Sequence, residues 1–227
     1  MPARDEEGTV GNVVARLLDA GLGWVRVVDN GSRDQTVHAA RSAGADVYSE
    51  PQRGYGRACW RGLQRLPAGC QWVLFCDADG SDDLSQLPDF FAAAAKSDFV
   101  LGNRRCGSRH EAKLGWLQHC GNGLATALIR LGWGHRYFDL GPLRLIRRDV
   151  LEAMEMKDRT WGWTLEMQVK ALEGRLRVTE LPVNYLPRQG GESKISGNLM
   201  GGLRAGWVIL WTLGGLYLTR GRRLAGS

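Results

Sequence analysis

Histidine is scarce in this 227-residue chain, and His38, His110, His119 and His135 share no metal-ligand spacing such as H-x-x-x-H. Cysteine is nearly as sparse. Cys59, Cys70, Cys76, Cys106 and Cys120 are odd in number and form no C-x-x-C pair, which excludes a zinc ribbon or disulfide framework and points to a reducing compartment. The opening Met1-Pro2-Ala3-Arg4-Asp5-Glu6-Glu7 contains three consecutive acids and no apolar run, unlike a secretory signal. The longest uncharged apolar stretch, Ala205 to Thr219, is short of the roughly 20 residues that a spanning helix needs. Internal repeats and low-complexity linkers are also missing.

What is present suits one sizeable core: 44% of residues are hydrophobic and 24% charged. The net charge of +6 is unevenly placed. From Arg188 onward the cations Arg188, Lys194, Arg204, Arg220, Arg222 and Arg223 face the single acid Glu192, whereas the body before them is close to neutral. That pattern argues against a nucleic-acid partner and for a local anionic one, phosphates or an acidic membrane surface.

Two periods alternate through the first half. Val10, Val13, Val14, Leu17 and Leu18 recur at helical spacing, and the β-branched run Trp24 to Val28 then stops at Asp29-Asn30-Gly31. By the same reasoning Ser32 to Ala43, Arg57 to Leu66 and Leu84 to Lys96 are helices. Ala45 to Tyr48, Trp72 to Cys76 and Asp98 to Gly102 are strands. Such alternation predicts an α/β fold, a parallel sheet covered on both faces. Further on, helices are expected at 114–131, 148–154 and 164–173, and strands at 143–146 and 176–185. A glycine-rich loop, 188–197, precedes an apolar helical stripe over 198–219.

Ligands in open parallel sheets collect beyond the carboxyl ends of the strands. Two strands end in acids there, one at Asp29 and one at Asp77-Ala78-Asp79-Gly80-Ser81-Asp82-Asp83. Asp77 and Asp79 can face one divalent cation, Mg²⁺ or Mn²⁺, that also bridges phosphate oxygens. An acidic turn in which Ser81 or Asp82 caps a helix satisfies the same spacing. Gly54-Tyr55-Gly56-Arg57 is either a turn into the helix or a phosphate contact through Arg57. Glu166, among apolar neighbours, and Asp139, before Leu140-Gly141-Pro142, are each either a buried structural carboxylate or an acceptor-site residue. Trp207 and Trp211, bordered by arginines, suit an interfacial helix at a bilayer headgroup, or one packed on the domain or in a homodimer.

The order and spacing of PARDEE at Pro2 to Glu7, VVDNGSRDQT at Val27 to Thr36, DADGSDD and GNRR at Gly102 to Arg105 resemble the nucleotide-sugar half of glycosyltransferase family 2, which has the GT-A fold. DLGPLRLIRRD (Asp139 to Asp149), WGWTLEMQVKALEG (Trp161 to Gly174), ELPVNY (Glu180 to Tyr185) and RQGGESKISG (Arg188 to Gly197) are similar to the polyprenyl-phosphate and dolichyl-phosphate hexose synthase branch. The resemblance implies a GT-A domain over 1–197, with a nucleotide-sugar half (1–105) and an acceptor half (106–197); the apolar and basic residues of 198–227 are expected to form the amphipathic C-terminal helix that is peripheral at the membrane or packed as above. It implies that Pro2, Ala3, Glu6, Asp29, Arg57, Asp77 and Ala78 bind the nucleotide sugar and that Asp77 and Asp79 hold the metal. Asp79, Arg104, Asp139 and Glu166 would be catalytic, Arg104 neutralising charge on the leaving diphosphate. Arg188, Ser193 and Lys194 would bind the acceptor phosphate.

Members of that family enter with a buried apolar strand before P-x-x-x-E-E, and this sequence opens at Met1-Pro2. The expectation is therefore that the first strand is missing and the sheet loses several kcal/mol of pairing and burial. Of the two ways to read this, a start lying upstream is favoured over a damaged form. The expected activity is inverting transfer of a hexose, from a UDP-glucose or GDP-mannose type donor, to polyprenyl phosphate on the cytoplasmic membrane face. The alternatives are a family 2 transferase for a saccharide or small metabolite and a non-catalytic membrane-surface module.

Overall fold

The structure is a computed structural model that describes residues 1–105, 116–188, 208 and 210–218, with backbone alone for 116–120. Its elements follow the hydrophobic periods. The chain runs β1 (Pro2–Ala3), α1 (Val10–Asp19), β2 (Arg26–Asp29), α2 (Thr36–Ser42), β3 (Asp46–Ser49), α3 (Tyr55–Gly62), β4 (Trp72–Phe75), α4 (Leu87–Ala94), β5 (Phe99–Asn103), α5 (Trp116–Trp133), β6 (Arg144–Arg147), α6 (Arg148–Ala153), α7 (Trp163–Glu173) and β7 (Val178–Pro182). α1 buries Val10, Val13, Val14 and Leu17, one stripe of a 3.6-residue period.

Two departures from the sequence expectation have local causes. α2 begins at Thr36 rather than Ser32, because Asp29 and Asp34 accept hydrogen bonds from the amides of Ser32 and Thr36 and hold 29–36 as a loop. The expected helix at 84–96 opens with a 3₁₀ turn, Leu84–Gln86, before α4.

The strands form two sheets, β1-β2-β3, all parallel, and β4-β6-β5-β7. β5 and β7 are parallel, whereas β6 runs antiparallel to both β4 and β5. Alternate strand residues face opposite cores, as the pleat requires: Phe99, Leu101 and Ile146 join Trp163, Leu165 and Met167, while Val100 and Leu145 join Val10, Leu87 and Phe90. Leu213 and Leu216 of the C-terminal helical segment belong to the first core, so one face of that segment packs on the domain. Its other face leaves Trp211 74% and Leu218 78% exposed. No helix of the described residues is long and apolar enough to cross a membrane.

The expectation of a missing first strand needs correction in one respect. Pro2 and Ala3 do form a strand, paired in parallel with Val28 and Asp29, and the Met1 carbonyl accepts the amide of Val28. The pairing extends no further. Between the start of β2 and β4 lies an apolar cavity of about 660 Å³, bordered by Met1, Trp24, Cys59, Trp72, Leu74 and Phe91. Among the described residues no ladder joins the two sheets across it.

Candidate active site

Loops at the carboxyl ends of β1, β2 and β4 converge through side chains that bind backbone. Residues 4–9 and 29–36 are interlocked: Asp5 N–H donates to Ser32 Oγ and Glu6 N–H to Thr36 Oγ1, while the amides of Arg33 and Gln35 donate to Asp5 and Glu7 carboxylates. Thr9 Oγ1 donates to the Ala78 carbonyl at 2.8 Å and so ties the start of α1 to the loop after β4. Asn30 donates to the carbonyls of Glu50 and Gln52 and accepts from Gly54 N–H. Pro2, Ala3, Glu6, Asp29 and Ala78, expected to contact donor, therefore stand on one braced rim.

Asp77, Asp79 and Asp82 occupy the end of β4, and Asp79 and Asp82 are buried. Burial and mutual repulsion push the carboxyls of Asp77 and Asp82 above the ordinary range, Asp82 further. Asp82 Oδ2 accepts the Asp77 amide, Asp79 Oδ1 accepts the Ser81 amide, and Asp79 Oδ2 meets Arg188 Nε at 3.1 Å. Among the described residues no three His, Cys, Asp or Glu side chains are arranged to hold a metal ion. A pair of strand-end carboxylates fits Mg²⁺ or Mn²⁺ in another way, since these ions keep positions for phosphate oxygens and their charge would relieve the repulsion.

Arg104 and Asp139 form the second feature. The guanidinium donates through Nε at 2.7 Å and Nη2 at 2.9 Å to the two carboxylate oxygens, and the Arg104 amide donates as well. Asn122 Nδ2 and the Leu140 amide complete the carboxylate's partners, while Gln168 binds the Asp139 carbonyl. The Arg104 cation holds the Asp139 carboxyl below its usual range despite burial. Gly141 is required here because a Cβ would sit 2.7 Å from the Gly102 carbonyl. Arg104 is thus braced at the end of β5, with its ring contact to Tyr185 at 5.3 Å, and its charge is already matched by Asp139.

Glu166 has the partners that its structural alternative calls for. Its carboxylate accepts the amides of Lys157 and Asp158 and pairs with Lys170 Nζ at 2.9 Å, both side chains 5% exposed. It fixes the loop before α7. Gly54 and Gly56 also prove to be packing residues, since a Cβ at Gly56 would meet the Arg159 backbone at 2.8 Å. Arg57 stands at the start of α3, its amide bonded to the Arg159 carbonyl. Ser193, Lys194 and Trp207 lie outside the described residues. Sequence reasoning missed Asn122, Gln168 and the buried Arg144, whose guanidinium binds the carbonyls of Gly141 and Thr164. Arg144 and Gln168 stand inside the quoted motifs DLGPLRLIRRD and WGWTLEMQVKALEG without being singled out, because each acts through a neighbour's backbone or side chain.

The model of the family described as Glycosyl transferase family 2 matches residues 1–154. An uncharacterized glycosyltransferase of Mycobacterium tuberculosis is 39% identical over 208 residues, spanning 90% of this chain and 92% of that protein. Undecaprenyl-phosphate mannosyltransferase of Micrococcus luteus is 26% identical over 213 residues, 88% of each chain. Among solved structures, glucosyl-3-phosphoglycerate synthase from Mycobacterium tuberculosis, in complex with Mn²⁺, UDP-glucose and phosphoglyceric acid, superposes with a TM-score of 0.74. That match has 19% identity and covers 94% of this chain and 78% of the other, which fixes the fold as GT-A.

Proposed function

The chain belongs to glycosyl transferase family 2, and from that premise we propose that it moves a hexose from a nucleoside diphosphate sugar to polyprenyl phosphate with inversion. The observation that carries the donor side is the set of three aspartates gathered at the end of β4, with Arg188 drawn to Asp79. Asp77 and Asp79 would hold Mg²⁺ or Mn²⁺, which when bound neutralises the diphosphate as it leaves. The braced rim of Pro2, Ala3, Glu6, Asp29 and Ala78 receives the nucleoside.

Arg188 enters the site from β7, and the loop that begins there, with Ser193 and Lys194, supplies cations to a phosphate acceptor. A phosphate monoester is largely dianionic at neutral pH, so it attacks without a strong base. Placement and charge neutralisation are then the main tasks. In this reading Arg104, Asp139 and Glu166 are positioning residues. The Micrococcus relative, named for undecaprenyl phosphate, and the basic segment after Arg188 support a lipid acceptor at a membrane surface.

The test is transfer from radiolabelled UDP-glucose or GDP-mannose, with Mn²⁺ or chelator, to polyprenyl phosphate or to phosphoglyceric acid. Label that becomes lipid-extractable only with metal and polyprenyl phosphate is expected, with the product anomer opposite to the donor's. Label confined to a water-soluble product would move the acceptor to a small metabolite.

A further inference from the structure

A second cavity, separate from the apolar one between β2 and β4, touches chain neighbours of the site just described. It measures about 730 Å³ and is bordered by Arg105, Thr126, Arg130, Arg136, Tyr137 and Phe138, with small residues of α5 between them. Arg105 follows Arg104 and Phe138 precedes Asp139, so the cavity adjoins both members of the buried pair. Gly123, Thr126, Ala127 and Arg130 are spaced i, i+3, i+4, i+7, which puts them on one face of α5. The small side chains leave room, and Arg130 borders the same space.

The charge is one-sided. Among the described residues no Asp or Glu borders the cavity and none of the three arginines is in an ion pair. Arg105 Nη1 reaches the Phe138 carbonyl at 3.4 Å and Arg136 lies over the Phe138 ring at 5.0 Å. Glu180, which accepts the Phe138 amide, does not border the space. The three exposed guanidinium groups offer forked donors that match an oxyanion with several acceptor atoms.

We propose that Arg105, Arg130 and Arg136 form a phosphate-binding subsite, separate from the loop that begins at Arg188, that receives a phosphate-bearing acceptor on its way to the transfer centre. The word acceptor rests on the transferase reading above; the phosphate site itself does not. Its ligand chemistry is a phosphate monoester, borne by a lipid or by a free metabolite.

Binding is measured without turnover, using calorimetry with inorganic phosphate and glycerol phosphate. Sedimentation uses phosphatidylcholine vesicles doped with polyprenyl phosphate or with phosphatidylglycerol. The double variant Arg130→Gln/Arg136→Gln should weaken inorganic phosphate by at least about tenfold. Its melting temperature and affinity for the nucleotide sugar should stay at wild-type values, and the corresponding double Lys variant should recover much of the phosphate affinity. Preference for polyprenyl phosphate over phosphatidylglycerol vesicles, lost in the Gln variant, assigns the lipid source. Glycerol phosphate binding without vesicle preference assigns the free one. Unchanged phosphate affinity in the double Gln variant overturns the subsite, as does wild-type sedimentation that treats both vesicles alike while inorganic phosphate fails to bind. Wild-type protein that binds phosphate here but transfers hexose to no phosphate acceptor would leave the subsite standing and sink the transferase reading instead.

Discussion

Three aspartates within six residues at one strand end cannot all ionise cheaply once water is excluded. Asp82 carries most of the consequence, its carboxyl raised by burial first and Asp77 second. A raised folded pKa means that the native state keeps a proton which the unfolded chain releases above about pH 4. Stability therefore falls as pH rises from there through neutrality. In chelator, Asp82→Asn should flatten that decline, because the amide oxygen can still accept the Asp77 N–H without charge. Melting curves of the two proteins across this range check it, and parallel curves would show that Asp82 titrates normally. Asp79→Ala should abolish metal-dependent donor turnover with the fold intact, since its partner Arg188 is 31% exposed and can turn to water. Retained turnover in Mn²⁺ would remove Asp79 from the metal site. Glu166→Gln should do the reverse. It leaves the Lys170 ammonium buried without its counter-charge, at a cost of about 3–5 kcal/mol. A lower melting temperature with normal donor affinity is expected; a normal melting temperature with lost turnover would restore Glu166 to the acceptor site.

Most elements were legible in the sequence, because each half-buried helix or strand has to repeat its apolar residues at its own period. Val10, Val13, Val14 and Leu17 announced α1, and the run ending at Asp77 announced β4. What the periods could not reveal is direction. Leu143 to Ile146 reads as a strand either way, and only its pairing shows that β6 runs antiparallel to both β4 and β5. The acidic loop after β4 was legible, whereas the brace around Asp139 depends on Asn122, Arg144 and Gln168 meeting across long sequence separations. Asp98 shows how such joints hold elements together. At the start of β5 it accepts from Arg177 of the β7 approach and from Arg147 of β6, and chiefly its Arg177 hydrogen bonds hold its pKa down at about 2. A depressed carboxyl contributes stability above its unfolded pKa and loses it as pH falls through the folded one. Asp98→Asn should then cost about 1–2 kcal/mol at neutral pH, discounted for the exposed arginines, and nearly nothing near pH 2. Urea unfolding at both pH values measures this, and an equal loss at the two would assign the effect to packing.

At the scale of the whole molecule the two sheets share helices and cores but no hydrogen bonds among the described residues, and the cavity between β2 and β4 marks the seam. One edge of β4 pairs with β6, and its other side borders the cavity. The Met1 ammonium, which donates to the Arg26 carbonyl, stands at the same border. Nearby, burial pushes the thiols of Cys59 and Cys76 up to about 12. An apolar strand of about six residues fused ahead of Met1 would continue β1 into this space. It would replace the ammonium by a neutral amide, pair with β2 on one side and β4 on the other, and fill apolar volume with side chains. Backbone pairing on both edges together with burial should outweigh the entropy of ordering so short a segment. We expect the melting temperature to rise by about 5 °C or more. Donor affinity should rise with it, because β1 carries Pro2 and Ala3, and the loop after it bonds through Thr9 to Ala78 beside the aspartates. A fusion of equal length made of charged residues is the control, since it cannot enter an apolar slot. Equal melting temperatures for the apolar fusion and the chain as it stands would show that the seam is already stable without a strand. A rise in stability with no change in donor affinity would show that the seam and the donor rim are mechanically separate.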